Sequence, residues 1–386
     1  MNIRKLYIYI AICICASCGK KDTFNTEVDS SCHLYPLKET MTISNIENYI
    51  DSINLFQIEQ NNDAIFSNVK KAIVGKNGDF YILDFNNNLI TFNQEGKFCR
   101  KVAERGQANN EYINLEDIAL SIDGKHLLLL ESSNRIIKYP ITCSDSTIDR
   151  IVLDIIYPID AIAPDKNNGT YCFATYPSNV DEYKEAYCQL YKVDRKGKVL
   201  ERNLPCVDFG TTIMNITQSR DNSYLLRPQN SEHIVYRLSQ DSLMAAYKIN
   251  FEEENIPHRY YYNTAGQDMM KYISSPYFKV PLYFYETDYV LYFSAHGRNK
   301  QYSYIYSLNK KEGINWIEHD TDMESLQIIA SDNMFIYAMV YPTIMENEGM
   351  ENHGVLYNYI REYIKEKKLA ITSDDNPFIA KIRFNI

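Results

Sequence analysis

This sequence of 386 residues has no surplus of positive charge. Its 40 lysines and arginines are outnumbered by 50 aspartates and glutamates, which gives a formal net charge of −10. Nucleic-acid binding needs a basic face for the phosphates, so we expect no nucleic acid as partner. The composition, 45% hydrophobic and 23% charged, excludes a disordered or fibrous chain.

Catalytic and metal-binding signatures are also missing. The seven histidines show no His-Glu-x-x-His spacing, and the cysteines after Cys18 show no Cys-x-x-Cys. There is no Gly-x-Ser-x-Gly elbow, no glycine-rich phosphate loop, and no sialidase Asp-box, Kelch or WD signature. We therefore expect no cofactor and no metal, we name no catalytic residue, and we favour a non-enzymatic protein over an enzyme.

Long apolar runs are absent except at the start of the chain. Arg4 and Lys5 precede an apolar run from Leu6 to Ala16, which has the length of a secretory signal and is too short to span a bilayer. The run ends in Ala16-Ser17-Cys18-Gly19, which resembles a bacterial lipobox. The sequence predicts a lipoprotein signal peptide over residues 1–17 and a tether over 18–42. Acylated Cys18 would anchor the protein to outer-membrane lipid in the cell envelope, on the periplasmic or the surface face; a soluble secreted form is the alternative.

Few cysteines follow Cys18, so few could form disulfides. Cys172 and Cys188 lie on two apolar runs that can pair as a hairpin, so a Cys172–Cys188 disulfide is one hypothesis. Buried thiols acting as small apolar residues are the alternative.

What the sequence does contain is an internal repeat. The pair of β-rich runs Phe80–Asp84 and Leu89–Phe92 recurs 47 positions later as Leu127–Glu131 and Ile136–Tyr139. The second run returns at Leu190–Lys198, and looser pairs follow near residues 224–238, 289–308 and 334–382. About six hairpin-bearing units without intervening helices predict an all-β fold, a six-bladed β-propeller over residues 43–386. We also expect the C-terminal strand, 378–384, to close the ring by pairing near residues 53–58.

Two stretches interrupt the β pattern and predict small helical insertions. Apolar residues recur at helical spacing over 354–368, which predicts an amphipathic helix. Residues 257–274 indicate a second one.

Two segments resemble a known family. Arg105-Gly106, followed by Glu111-Tyr112, and the closing Asp375-Asn376-Pro377-Phe378 resemble six-bladed β-propeller lipoproteins of anaerobic Gram-negative bacteria, which are related to NHL-repeat propellers. In that family the loop usually reads Arg-Gly-x-Gly-Pro-Gly-Glu-Tyr, whereas residues 108–110 are Ala-Asn-Asn here. The resemblance implies the fold and says little about function, because the family is mostly uncharacterised.

The leading functional hypothesis is a membrane-anchored binding or interaction module. Most of the 33 tyrosines are explained by packing between blades, and loops at one mouth of the channel would hold a glycan, peptide or protein partner. The candidate residues are Arg105, Gln107, Asn110, Glu111, His296 and Arg298. The alternative is a propeller hydrolase, lactonase or lyase with a metal in the central channel, which requires carboxylates, amides or histidines converging there.

Overall fold

The structure is a computed structural model. It describes residues 30–60, 62–65, 67–108, 111–141, 148–167, 169–174, 188–205, 216–228, 233–239, 242–257, 274–279, 282–319, 325–345, 353–369, 371–372 and 375–386.

The elements are numbered in chain order. The first are β1 (His33–Leu34), α1 (Pro36–Glu39), β2 (Thr40–Thr42) and β3 (Ile50–Gln57). Blade I contains β4 (Val69–Val74), β5 (Phe80–Asp84), β6 (Leu89–Phe92) and β7 (Phe98–Lys101). A short parallel pair, β8 (Glu104–Arg105) and β9 (Glu111–Tyr112), leads to blade II, with β10 (Leu115–Leu120), β11 (His126–Glu131), β12 (Arg135–Pro140) and β13 (Asp149–Val152). Blade III contains β14 (Ile159–Pro164), β15 (Thr170–Ala174), β16 (Cys188–Val193) and β17 (Val199–Pro205).

The second half of the chain builds three more blades. Blade IV contains β18 (Ile216–Gln218), β19 (Tyr224–Leu226), β20 (Ile234–Ser239) and β21 (Ser242–Ile249). Blade V contains β22 (Leu282–Glu286), β23 (Val290–Gly297), β24 (Lys300–Ser307) and β25 (Gly313–Glu318). Blade VI contains β26 (Leu326–Ser331), β27 (Ile336–Val340), β28 (Phe378–Phe384) and β3, with α2 (Val355–Glu366) between β27 and β28.

The six sheets form a closed ring. The innermost strands β4, β10, β14, β18, β22 and β26 each contact the innermost strand of the next blade, and β26 returns to β4. Blades stacked in this way bury both faces of their middle strands, so these strands are continuous apolar runs rather than alternating ones. All five residues of β5 and of β15 are buried. The predicted six-bladed β-propeller is confirmed.

The ring is closed by strands from the two ends of the described chain. β28 pairs antiparallel with β3, with Ile382 opposite Ile53 and Phe378 opposite Gln57. The predicted pairing of the C-terminal strand is therefore confirmed, and residues 50–57 supply the outermost strand of blade VI.

The predicted tether ends earlier than expected. β1 pairs in parallel with β21, and β2 pairs in parallel with β25, so this segment adds a fifth strand to blades IV and V. Leu34 is fully buried in the apolar cluster between these blades. Residues 33–42 thus belong to the propeller, and residues 18–29 of the predicted tether lie, with Cys18 and the predicted signal peptide, outside the described residues. Among the described residues no helix is long and apolar enough to cross a membrane.

The two predicted insertions have different outcomes. α2 confirms the amphipathic helix: Leu356, Ile360 and Ile364 are buried, and the Tyr357 hydroxyl donates to the carbonyl of Ile344 at 3.0 Å. The insertion predicted over residues 257–274 lies almost wholly outside the described residues.

Of the two readings of Cys172 and Cys188, the structure contradicts the disulfide and agrees with free thiols. Cys172 and Cys188 are free thiols, as are Cys32 and Cys99. Within the hairpin Cys172 lies opposite Tyr191, three residues from Cys188, which corresponds to about 10 Å along the strand. This offset exceeds the Cα separation that a disulfide spans. Burial raises the pKa of the Cys172 thiol.

Buried charges tie blade V to blade IV. Glu286, at the end of β22, is fully buried, and Arg237 on β20 donates to its Oε1 at 2.7 Å. The hydroxyls of Ser219 and Tyr247 donate to the same carboxylate. Burial by itself raises the pKa of Glu286, but these donors, Arg237 foremost, hold it below its ordinary value. The carboxylate is therefore charged in the folded protein.

Candidate ligand-binding site

Bulges mark the beginning of the innermost strands. We call the end of the ring where these strands begin the upper mouth. Neighbouring strands in a blade are antiparallel, so the turn between the second and third strands lies at the same end. The β5–β6 and β23–β24 turns are therefore at the upper mouth. The ladders of β4, β10, β14 and β22 each skip one residue near their start: Lys70, Glu116, Asp160 and Tyr283. A bulge releases a residue from the ladder and changes the direction of its side chain.

Tyr283 is the most unusual of the bulged residues. Its backbone has a φ of 53°, in the left-handed region that bulky residues rarely adopt. Such a conformation costs about 1–3 kcal/mol and persists only where the surrounding structure imposes it. The side chain is 38% exposed at the upper mouth. An aromatic ring is therefore held at the entrance at an energetic cost.

A cavity of about 240 Å³ lies beside Tyr283, between blades V and VI. β23, β24 and β25 supply one wall, β26 the other, and α2 contributes Leu356. Asn68 and the exposed Phe85 reach it from blade I. Its lining residues are Asn68, Phe85, Tyr283, Tyr292, Ser294, Gln301, Ser303, Glu318, Leu326, Gln327, Ile328 and Leu356. We call this cavity the mouth pocket.

Polar groups of the mouth pocket are fixed by neighbours. The Tyr292 hydroxyl lies 2.8 Å from Ser303 Oγ, and burial, followed by the charge of Glu318, raises the pKa of Tyr292. Trp316 Nε1 donates to Glu318 Oε1 at 2.5 Å. Gln327 Nε2 donates to the carbonyl of Val69 at 3.1 Å, across the boundary between blades VI and I. The pocket thus presents hydroxyl, amide and carboxylate groups in set positions.

The central channel adjoins the mouth pocket. It contains a smaller cavity of about 80 Å³, and Tyr283 and Gln327 line both. Its charged lining residues form ion pairs with the next blade: Lys70 Nζ lies 3.2 Å from Glu116, and Lys71 Nζ lies 2.6 Å from the buried Asp117.

The metal-dependent alternative requires carboxylates, amides or histidines that converge in the channel. Burial raises the pKa of Asp117, against the lowering effect of Lys71. In the part of the chain that the structure describes, no three histidines, cysteines or acidic residues are grouped as a metal would need. The smaller channel cavity is lined by lysine, amide, hydroxyl and apolar groups.

Comparison with known proteins identifies the family. The family model described as "Domain of unknown function (DUF4934)" matches residues 35–383. The chain belongs to this family. The match begins inside β1–β2, the segment that the structure places on the propeller.

One solved structure shares the fold of this DUF4934 chain. A "putative exported protein" from Bacteroides fragilis is similar with a TM-score of 0.69 at 13% identity, over 92% of this chain and 99% of that chain. The β-propeller domain of Cps50 (Swd1) from Myceliophteria thermophila has a TM-score of 0.41 at 10% identity, over 75% of this chain and 96% of that chain. At 13% identity the first likeness shows the fold alone. No curated protein matches the chain.

The predicted binding loop of the DUF4934 chain lies at the upper mouth but is held by its own side chains. Arg105 Nε donates to the carbonyl of Ile113 at 3.2 Å, and the Glu111 carboxylate accepts from the backbone N–H of Ala108 at 2.8 Å. A Cβ at Gly106 would lie 1.9 Å from Glu111 Oε2, so a larger residue there would displace this carboxylate. Gln107 is exposed, and Asn110 lies outside the described residues. Arg105 and Glu111 therefore shape the loop.

The other predicted pair lies at the β23–β24 turn of the DUF4934 propeller. Arg298 Nε donates to Glu254 Oε2 at 2.6 Å, and its guanidinium lies over the ring of Phe278. The Glu254 hydrogen bond raises the pKa of Arg298. The carbonyl of His296 accepts from the backbone N–H of Lys279 at 2.8 Å. Neither His296 nor Arg298 lines the mouth pocket, nor do the described residues of the Arg105–Glu111 loop.

Sequence reasoning missed the residues that line the mouth pocket. Tyr283 lies in an aromatic run, Leu-Tyr-Phe-Tyr, that resembles the other buried strands. Its bulge and its left-handed φ leave no mark in the sequence. Only Phe85, in the turn of the first repeat, carries a signal: a large apolar residue at a turn that should be polar.

Proposed function

We propose that this DUF4934 propeller is an extracytoplasmic binding module that takes a glycan in the mouth pocket. The observation that carries the proposal is the pairing of exposed aromatic rings, Tyr283 and Phe85, with amide and hydroxyl groups in one cavity. The aromatic faces suit the apolar face of a sugar ring, and fixed amides and hydroxyls suit its hydroxyls.

The size of the mouth pocket limits the ligand. At about 240 Å³ it is slightly smaller than the roughly 300–1,000 Å³ typical of pockets for drug-sized molecules. One sugar ring would be enclosed, and any further rings would lie on the upper mouth beside Phe85. A terminal or branch residue of a glycan fits this description.

The test is binding to an immobilised glycan library, followed by calorimetry on the sugars that bind. Tyr283→Ala removes the aromatic ring without relieving the left-handed backbone, and we expect it to weaken binding about tenfold or more. The matched control is Tyr289→Ala, which removes a tyrosine of similar exposure, 43% against 38%, from the opposite end of blade V. Equal affinities of the two variants would show that the glycan does not bind beside Tyr283. If the protein bound no glycan in the library, the proposed glycan-binding function would be refuted.

The proposal includes a lipid anchor. The apolar run Leu6–Ala16 and the lipobox-like Ala16-Ser17-Cys18-Gly19 support acylation of Cys18, and the similar protein of Bacteroides fragilis is described as exported. Acyl chains contribute about 0.8 kcal/mol per buried methylene, so two or more would hold the protein on the membrane. Intact-mass measurement of the protein from membranes, with Cys18→Ser as control, tests this. Recovery of an unmodified, soluble chain would contradict it, and protease shaving of cells would show which face of the outer membrane carries the propeller.

A further inference from the structure

The mouth pocket has an exposed entrance and a buried interior. Exposed side chains form the entrance: Asn68, Phe85 and Tyr283. The interior is lined by side chains that are almost fully buried, and two of them are apolar, Leu326 at 9% exposure and Leu356 at 2%. A ligand group that enters the interior therefore leaves water and meets apolar surface.

The walls of the mouth pocket carry two side-chain amides that are open to a ligand. Asn68 precedes β4, and its backbone carbonyl accepts from the N–H of Phe85 at 3.1 Å, which fixes its place at the entrance. Gln301 is the second residue of β24 and lies in the wall that blade V supplies. Neither side-chain amide makes a hydrogen bond to another residue that the structure describes. Each amide can both donate to a ligand and accept from it.

We infer that the mouth pocket selects N-acetylated sugars, with the sugar ring on Tyr283 and the acetamido group inside the pocket. The inference rests on the proposed function and adds the class of glycan. The acetamido methyl suits the apolar surface of Leu326 and Leu356, and its burial should strengthen binding about fourfold. The acetamido N–H and carbonyl suit a side-chain amide such as Gln301, which can accept from the one and donate to the other.

Other sugar substituents fit the interior less well. A hydroxyl against Leu326 and Leu356 would lose its hydrogen bonds to water without replacing them, which weakens binding. A methyl group alone, as in a deoxy sugar, would satisfy the apolar surface but would leave the Gln301 amide unused. Ligand pockets in general combine an apolar lining with a few placed polar groups in this way.

The experiment compares sugars that differ at one group. The probes are the methyl glycosides of glucose, N-formylglucosamine and N-acetylglucosamine, and the same three derivatives of galactose. In at least one series we expect the wild-type protein to bind the N-acetyl sugar about tenfold or more tightly than the parent sugar, measured by calorimetry. The N-formyl sugar, which keeps the amide and lacks the methyl, should bind about fourfold less tightly than the N-acetyl sugar.

A pair of variants tests the amide wall. Gln301→Ala should weaken the N-acetyl sugar about fivefold and change the parent sugar by less than about twofold, because only the acetamido group uses this amide. Gln94→Ala removes an amide from the β6–β7 turn, outside the mouth pocket, and should leave the ratio between the two sugars unchanged. Thermal melts show whether both variants fold, and the comparison of N-formyl with N-acetyl sugar needs only the wild-type protein.

The outcomes separate the two claims. Parent or N-formyl sugars that bind as tightly as the N-acetyl sugars, or a ratio that Gln301→Ala does not change, overturn the selection and leave glycan binding standing. A library whose bound glycans carry no N-acetylated sugar does the same. If N-acetylalanine N-methylamide, a peptide probe, binds as tightly as the N-acetyl sugars, the pocket takes peptides and both claims fail. They also fail together if no sugar of either series binds and the library is negative.

Discussion

The segment before the ring offers a quantitative test of how the propeller is held together. Leu34 is fully buried between blades IV and V, although it lies in a stretch whose composition predicts a tether. Truncating a buried leucine to alanine costs about 2–5 kcal/mol. An unfolding entropy of about 0.7 kcal/mol/K, expected for a chain of this length, converts this loss to a fall in Tm of about 3–7 °C.

The assay is thermal unfolding of the mature chain followed by circular dichroism or calorimetry, for Leu34→Ala and for Met41→Ala. Met41 lies in the same segment but is 62% exposed, so its truncation should change stability by less than about 0.5 kcal/mol. A Leu34→Ala protein with the melting temperature of the wild type would refute the reasoning, because a free tether contributes nothing to the core. Urea unfolding provides an independent measure of the same difference.

Three further predictions follow from buried groups and from ring closure. The pKa of Glu286 is lower in the folded protein than in the unfolded chain, so the stability that this carboxylate contributes is complete above about pH 4.5 and is lost as the pH falls through the folded pKa. In Glu286→Gln the free energy of unfolding, measured by fluorescence, should therefore depend less on pH in the acid range. The same pH dependence in the variant and the wild type would argue against the buried ion pair. Alkylation in denaturant without reductant, followed by peptide mapping, should modify both Cys172 and Cys188, whereas a disulfide-linked peptide would contradict the free thiols. Deleting residues 376–386 removes β28 from the centre of blade VI and should abolish cooperative unfolding in a thermal melt; a deleted protein as stable as the full chain would rule out closure by this strand.

The repeat made the architecture predictable from sequence. The middle strands of each blade are buried on both faces, so their apolar runs and the turns between them recur along the chain. The 47-residue shift between Phe80–Asp84 and Leu127–Glu131 overlays two matching strands, β5 and β11. The relation to NHL repeats and the lipidation of Cys18 stay predictions.

Positions that depend on contacts between distant segments were not predictable. β1 and β2 are too short and too polar to be recognised as strands, and they form because the outer edges of blades IV and V accept them. The Cys172–Cys188 disulfide hypothesis does not hold, because hairpin register, rather than proximity of two runs, decides which side chains meet.

The candidate residues predicted from the sequence lie at the same end of the ring as the mouth pocket, and the described ones do not line it. Arg105, Glu111 and Arg298 are polar residues in loops, and such residues serve either a ligand or the loop itself. Their hydrogen bonds to Ile113, Ala108 and Glu254 stabilise the loops themselves. The mouth pocket depends on the bulge at Tyr283 and on the space between two blades, and neither has a sequence signature.

The most direct test of the account is a crystal structure of the mature protein soaked with a sugar that the glycan library identifies. The account predicts electron density for one sugar ring in the mouth pocket, stacked on Tyr283 and within hydrogen-bond distance of Gln327 and Glu318. Density for the sugar at the Arg105–Glu111 loop or at the outer edge of a blade, with the mouth pocket empty, would contradict it.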